Sequence, residues 1–123
     1  DVVAEVQAFL RTRVSAALAA GISRDRLLLD PGFGFGKTLQ HNLDLLRRFD
    51  ELSIGDLPLL AGISRKSMLG TVTGRPVSQR LAGSLAAALL AAQRGASILR
   101  VHDVSETRDA LAVLQAVNAA GAA

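Results

Sequence analysis

Arg26-Leu27-Leu28-Leu29-Asp30-Pro31-Gly32-Phe33-Gly34-Phe35-Gly36-Lys37 is an apolar run that stops at a proline–glycine pair and passes into a glycine loop ending in a cation. The run Arg26–Asp30 predicts a buried strand, because it is short, does not alternate and is bounded by breakers. The same order recurs twice. Residues 57–64 (LPLLAGIS) lead into Ser64-Arg65-Lys66-Ser67, and residues 97–102 (SILRVH) carry Arg100-Val101-His102-Asp103. Each apolar run thus ends in charged or polar groups.

Helical patterns separate the runs. Residues 1–20 place Val3, Val6, Phe9 or Leu10, Val14 and Leu18 at spacings of three or four, with Gly21 just past the end. Residues 39–52 set Leu39, Leu43, Leu46 and Phe49 on one face. Residues 66–77 hold two Gly and a Pro and predict a loop. Ser78 can cap a third helix to Arg94, stopped by Gly95. Asp103 and Glu106 have the spacing of a capping box for a last helix to Val117.

Unalternating strands separated by helices are expected to be parallel and covered on both faces. Three such strands do not close a sheet. Residues 1–123 therefore read as one partial domain, the C-terminal part of an α/β fold of the (β/α)8 TIM-barrel kind, whose usual length is about 250 residues. The start at Asp1, inside a helical pattern and without Met, reads as a cut in a larger protein. Parallel α/β folds bind ligands at the carboxyl ends of their strands, where the three motifs fall. Asp30, Arg65, Lys66, Arg100 and His102 are expected at one sheet edge, with the strands adjacent in chain order.

A net charge of +3 suits a small anionic substrate. The positive charges are spread out, and four Phe with no Tyr or Trp leave few stacking platforms for bases, so no nucleic-acid partner is expected. The absence of cysteine removes disulfides and thiolate metal sites and leans towards the cytoplasm. The longest apolar stretch, Leu85–Ala92, falls short of the roughly 18–20 residues that a bilayer requires, and no signal-peptide pattern is present, so no membrane partner is expected.

Asp30 can form the turn before Pro31-Gly32, or its carboxylate can accept two parallel hydrogen bonds from an amidine-like ligand edge. The three alternating glycines allow a close backbone approach to a ligand. Phe33 and Phe35 cannot both enter the core, so at least one lines a pocket. Gly36-Lys37-Thr38 fits the end of a phosphate-binding GxxxxGK[ST] loop, but the first glycine of that motif falls on Pro31, which has no N–H to donate. In Gly62-Ile63-Ser64-Arg65-Lys66-Ser67 the plain reading is a solvated basic turn. The alternative has Lys66 donating to a ligand carbonyl or ring nitrogen, Arg65 stacking on a flat ring and Ser67 binding a carboxylate. Arg100 and His102 alternate with Val101, face one side and suit phosphate or diphosphate. His41 reads as a surface or loop contact. Ala82, Gly83, Ala86, Ala87 and Ala91 read as residues that let a helix pack closely.

Together DPGFGFGK, GISRKS and RVHD, in this order and spacing, resemble dihydropteroate synthase over nearly the whole chain, as its C-terminal part. The resemblance implies a transferase of folate biosynthesis that condenses (7,8-dihydropterin-6-yl)methyl diphosphate with 4-aminobenzoate to 7,8-dihydropteroate, releasing diphosphate. It also implies a TIM barrel, magnesium (Mg2+), a cytoplasmic homodimer and sensitivity to sulfonamides. On this resemblance Asp30 binds the 2-amino and N3 edge of the pterin, and Lys66 donates to the pterin ring. Phe35, Arg65 and Ser67 surround the aminobenzoate, Gly62 belongs to the substrate-binding set, and Arg100 and His102 hold the diphosphate. Lys66, Arg100 and His102 are the expected catalytic residues.

The family's metal-binding Asn, its further pterin-binding Asp and Asn, and two closing loops belong to early strands outside this chain. No metal ligand is therefore expected here, and the segment alone is expected to be inactive. Two other readings stand beside this one. One is a pterin-binding methyltransferase module that passes a folate methyl group to a corrinoid. The other is a non-catalytic truncated fragment that only dimerises or misfolds. As a barrel sector cut from its neighbours, the chain is expected to expose more apolar surface than an ordinary monomer. The alanine-rich third helix and the last helix are the candidate dimer interface.

Overall fold

Val3, Leu10 and Val14 recur at steps of seven and four and bury one stripe of the first helix, α1 (Val2–Ala19). Asp1 caps it, with Oδ1 accepting from the amides of Val3 and Ala4. Leu10 takes the core position, while Phe9 and Leu18 stay exposed. The second helix, α2 (Leu39–Arg47), opens on Thr38. The Thr38 hydroxyl accepts from the His41 amide at 3.2 Å, and His41 Nδ1 accepts from the Thr38 amide at 3.3 Å. His41 is an exposed capping residue, in keeping with its reading as a surface or loop contact.

The single helix expected over residues 39–52 breaks at Arg48, and Phe49–Leu52 form a 3-10 turn. The break rotates Phe49 and Leu52 fully into the core, while Arg48 pairs with Asp1 at 3.1 Å and Glu51 at 2.6 Å. The structure, a computed structural model, describes residues 1–121.

Two strands, β1 (Leu59–Ala61) and β2 (Ala96–Leu99), pair in parallel, with Leu59 opposite Ala96 and Ala61 opposite Leu99. The run at residues 26–30 is not a full strand. It begins inside a 3-10 turn (Arg24–Arg26) and makes one parallel bridge, Leu29 to Leu59. The Leu29 amide donates to the Pro58 carbonyl, and the Leu60 amide donates to the Leu29 carbonyl, both at 2.8 Å. Ladder bonds reach this segment from the β1 side only among the described residues, so the strand pattern does not extend beyond Leu29. The three segments nevertheless lie parallel and adjacent in chain order. Full cover on both faces is not met, since Leu28 is 47% and Ile98 38% exposed.

The loop expected at residues 66–77 contains a helix, α3 (Ser67–Thr73), which buries Met68 and Leu69. Gly74 ends it at φ 72°, with its amide donating to the Gly70 carbonyl at 2.9 Å. One glycine that suggested a loop is thus a helix cap. Helix α4 (Leu81–Gln93) starts beyond Ser78, which falls in a 3-10 turn (Val77–Gln79) and caps nothing. Its buried face is Ser84, Ala87, Ala88 and Ala91, and Gly83 lies against Thr73 and Leu69, whereas Ala82 and Ala86 remain exposed. Helix α5 (Val104–Ala119) follows Asp103, but the expected capping box is not formed. Arg65 engages the Asp103 carboxylate at 2.8 Å, and Ser105 bonds Glu106. A guanidinium outcompetes a backbone amide for a carboxylate because the charge-assisted bond is stronger. Among the described residues no helix is long and apolar enough to cross a membrane.

Phe33 is fully buried and stacks on Phe49, with ring centroids 6.1 Å apart and planes 15° apart. Phe35, two residues on, is 70% exposed. In a full-length protein carrying this segment, Phe33→Ala is expected to destabilise by about 3–5 kcal/mol in denaturant unfolding. Phe35→Ala should stay within about 0.5 kcal/mol. Equal losses for the two variants would refute this assignment of core and surface.

Candidate functional site

Parallel pairing puts the ends of three segments side by side: Asp30 after the bridge, Gly62–Ser67 after β1, and Arg100–Asp103 after β2. Asp30 makes the turn of its plain reading. Oδ1 accepts from the Gly32 amide at 2.9 Å and makes the turn, while Oδ2 lies 3.5 Å from Arg100 Nη1. The Arg100 amide is tied to the Ala61 carbonyl at 3.0 Å, and its guanidinium lies directly over Gly62. A Cβ at Gly62 would sit 2.5 Å from Nη2 and 3.0 Å from Cζ of Arg100. Gly62 is therefore the space that lets Arg100 lie across the strand end.

Lys66 Nζ donates to the Phe33 carbonyl at 2.6 Å and lies 5.0 Å from the centre of the Phe35 ring. Burial, and then the nearby Arg100 charge, hold its pKa below the ordinary lysine value. Asp30 opposes that shift and Lys37 adds to it. Phe35 lines an open cleft of about 390 Å³ with Asp30, Pro31, Gly32 and Lys37. Lys37 Nζ donates to the carbonyls of Gly32 at 2.7 Å and Phe35 at 3.0 Å, so it ties its own loop. The buried Asn42 of α2 braces the loop from below: its Oδ1 accepts from the Gly34 amide at 2.9 Å, and its Nδ2 donates to the Thr38 carbonyl at 3.0 Å. Its only sequence signal is a polar residue on the helix face that carries Leu46 and Phe49.

Arg100 and His102 lie just beyond the end of β2. His102 faces Ser64, whose Oγ is 2.8 Å from Nδ1 and accepts from the His102 amide at 3.3 Å. Every group is used when the Ser64 hydroxyl donates to Nδ1, which leaves the neutral imidazole proton on Nε2. Arg65 has φ 59°, which makes it the one non-glycine residue with positive φ among those described. That geometry costs about 1–2 kcal/mol outside glycine. Its amide, its carbonyl and its side chain are each held, by Ser84, Arg80 and Asp103. Ser67 opens α3 and is exposed.

Asp30, Phe35, Gly62, Lys66 and Arg100 thus form one contiguous cluster, and Ser64–His102 and Arg65–Asp103 bridge the same two strand ends. Asn42, Arg80 and Ser84 carry no site signal in the sequence, and Ser64 has no role of its own within its motif, because small polar residues and a lone Arg carry no pattern until folding gives them partners. Among the described residues no three His, Cys, Asp or Glu side chains converge as metal ligands. The arrangement can grip a planar ring bearing donor and acceptor edges beside an anion.

A family model described as "Pterin binding enzyme" matches residues 1–102. The chain is 53% identical to the dihydropteroate synthase of Haemophilus influenzae over 116 residues, which are 94% of this chain and 42% of that protein. Two structures of dihydropteroate synthase from Xanthomonas albilineans superpose with TM-score 0.95 at 58% identity, one in complex with 7,8-dihydropteroate and one with 4-aminobenzoic acid. They cover 97% of this chain and 46% and 44% of those chains. The Yersinia pestis enzyme with a sulfonamide drug complex superposes with TM-score 0.94 at 48% identity, over 98% of this chain and 44% of that one. The chain therefore spans less than half the length of these relatives.

In a full-length protein carrying this segment, Lys66 is expected to titrate below an ordinary lysine. Arg100→Ala should move that pKa upwards by removing a like charge, as read by NMR titration of the Lys66 side chain. Because the folded pKa is depressed, the unfolded chain binds more protons between the two values. The lysine weakens the fold while charged, and that penalty lifts as pH rises from the lowered pKa towards the ordinary one. An unchanged or lower Lys66 pKa in Arg100→Ala would contradict this placement of the two cations.

Proposed function

The chain belongs to the pterin-binding enzyme family, and we propose from that premise that it forms the C-terminal part of a dihydropteroate synthase. The full-length enzyme would join (7,8-dihydropterin-6-yl)methyl diphosphate to 4-aminobenzoate. The observation that carries the reading is the juxtaposition of Asp30, Lys66 and Arg100 at one sheet edge, in a chain so similar to known dihydropteroate synthases.

In this reading the Asp30 carboxylate accepts from the 2-amino and N3 edge of the pterin, and Lys66 donates to the ring from a position above Phe35. Phe35, Arg65 and Ser67 border the aminobenzoate. The C–O bond to diphosphate breaks and its electron pair leaves with the diphosphate. The aniline nitrogen attacks the exocyclic methylene, forms the C–N bond and gives up a proton. Arg100 and His102 Nε2 stabilise the charge that grows on the leaving group, an interaction stronger in the transition state than in the ground state.

Magnesium finds no converging ligand set among the described residues. Its ligand is assigned to the early strands, and no step here runs through it. The segment alone lacks those strands and is expected to be inactive. A sulfonamide would compete for the aminobenzoate position beside Phe35. A cytoplasmic homodimer belongs to the same proposal, and exposed Leu81 and Leu90 on α4 and Val104, Val113 and Val117 on α5 support the dimer part of it. The Arg100–His102 pair favours this reading over a corrinoid methyltransferase module, since a methyl transfer has no diphosphate to hold.

The test titrates plain pterin and pterin-methyl diphosphate separately into full-length variants by calorimetry, with turnover measured alongside. Lys66→Ala and Asp30→Asn should weaken plain pterin binding. Arg100→Ala should lower turnover more than plain pterin binding. Each loss should be about ten- to a hundredfold, the worth of one charge-assisted hydrogen bond. If Arg100→Ala weakens plain pterin as much as Lys66→Ala does, the last strand does not serve the diphosphate.

A further inference from the structure

Ile63-Ser64-Arg65-Lys66 form a tight turn, closed by the Lys66 amide donating to the Ile63 carbonyl at 3.0 Å. Arg65 occupies its third position with φ 59°. A positive φ at that position belongs to turns that select glycine, because a side chain there crowds the backbone. Here it carries an arginine. The surroundings hold it on both sides. The Ser84 hydroxyl, on the buried face of α4, accepts from the Arg65 amide at 2.9 Å. Arg80 Nη1 donates to the Arg65 carbonyl at 2.9 Å, while Arg80 Nε donates to the Arg75 carbonyl at 3.2 Å. The Arg80 guanidinium rests on Gly70 of α3, in space that a Cβ would fill. The turn sends neighbouring side chains apart: Arg65 to Asp103, and Lys66 to the Phe33 carbonyl and the Phe35 ring.

We propose that Ser84 and Arg80 are positioning residues that hold Arg65 in its left-handed conformation, so that the following Lys66 is aimed into the pterin site. Neither touches the substrate in this reading. They act through the backbone of Arg65, by satisfying its N–H and C=O only in the turned geometry. The role assigned to Lys66 rests on the proposed function; the clamp on the turn does not.

The test is a double-mutant cycle in the full-length protein. Ser84→Ala removes the acceptor for the Arg65 amide and should weaken plain pterin binding about tenfold by calorimetry. Arg65→Gly adopts positive φ without a clamp. In that background Ser84→Ala should change pterin affinity less than twofold. Arg80→Gln, at a less buried site, should repeat the pattern if Ser84→Ala does not fold. Equal losses in the Arg65 and Gly backgrounds, or no loss in either, would overturn the proposal, since a merely structural defect is blind to residue 65.

Amide hydrogen exchange at Lys66 reads the turn without any ligand. Exchange should be slow in the parent, fast in Ser84→Ala and slow again in Ser84→Ala with Arg65→Gly. If the parent does not bind pterin, the functional reading falls, and the exchange pattern still decides the clamp. Lys66 exchange that stays slow in both Ser84→Ala and Arg80→Gln would show that neither residue holds the turn.

Discussion

A short ladder of parallel backbone hydrogen bonds sets the position of every charged group in the site. Leu29 bonds Pro58 and Leu60, and the Arg100 amide bonds the Ala61 carbonyl. Parallel strands all point their carboxyl ends the same way, so whatever follows each apolar run is delivered to one edge. The ladder is only a few residues long, and the core packs behind it. Phe33 and Phe49 stack, and Leu45 and Leu52 are fully buried with them. Because Phe33 belongs to the site loop as well as the core, packing and site geometry are coupled.

The electrostatic arrangement follows from that delivery. Burial, and then the nearby Arg100 charge, depress the Lys66 pKa, with Asp30 as the opposing charge and Lys37 adding to the effect. Like charges brought this close repel one another, and an anion beside them relieves that repulsion. Backbone acceptors restrain the cations meanwhile. Lys66 is held by the Phe33 carbonyl and Lys37 by those of Gly32 and Phe35. The glycine loop thus supplies hydrogen-bond acceptors as well as conformational freedom.

Where sequence and structure part, tertiary partners won over local pattern. Asp103 and Glu106 have capping-box spacing, but Arg65 takes the Asp103 carboxylate. Ser78 is a good cap by type, yet α4 begins beyond it. Residues 66–77 look like a loop because of Gly70, Gly74 and Pro76, but Met68 and Leu69 have a core to enter, and Gly74 is the helix's own cap. The run at residues 26–30 reads as a strand and keeps a single bridge, since ladder bonds reach it from one side only among the described residues.

By itself the sequence determined the α/β alternation, the parallel order of the three apolar segments, and the placement of Asp30, Lys66, Arg100 and His102 at their ends. Periodicity and breakers are local properties, and a strand end is a local position. Tertiary structure alone decided which of Phe33 and Phe35 enters the core, that Gly62 is the bed for Arg100, that Ser64 meets His102, and that Ser84 and Arg80 grip Arg65. Each of these joins residues far apart in the chain or depends on such a contact. The hydrogen bonds and close contacts that define them exist only once the segments have docked.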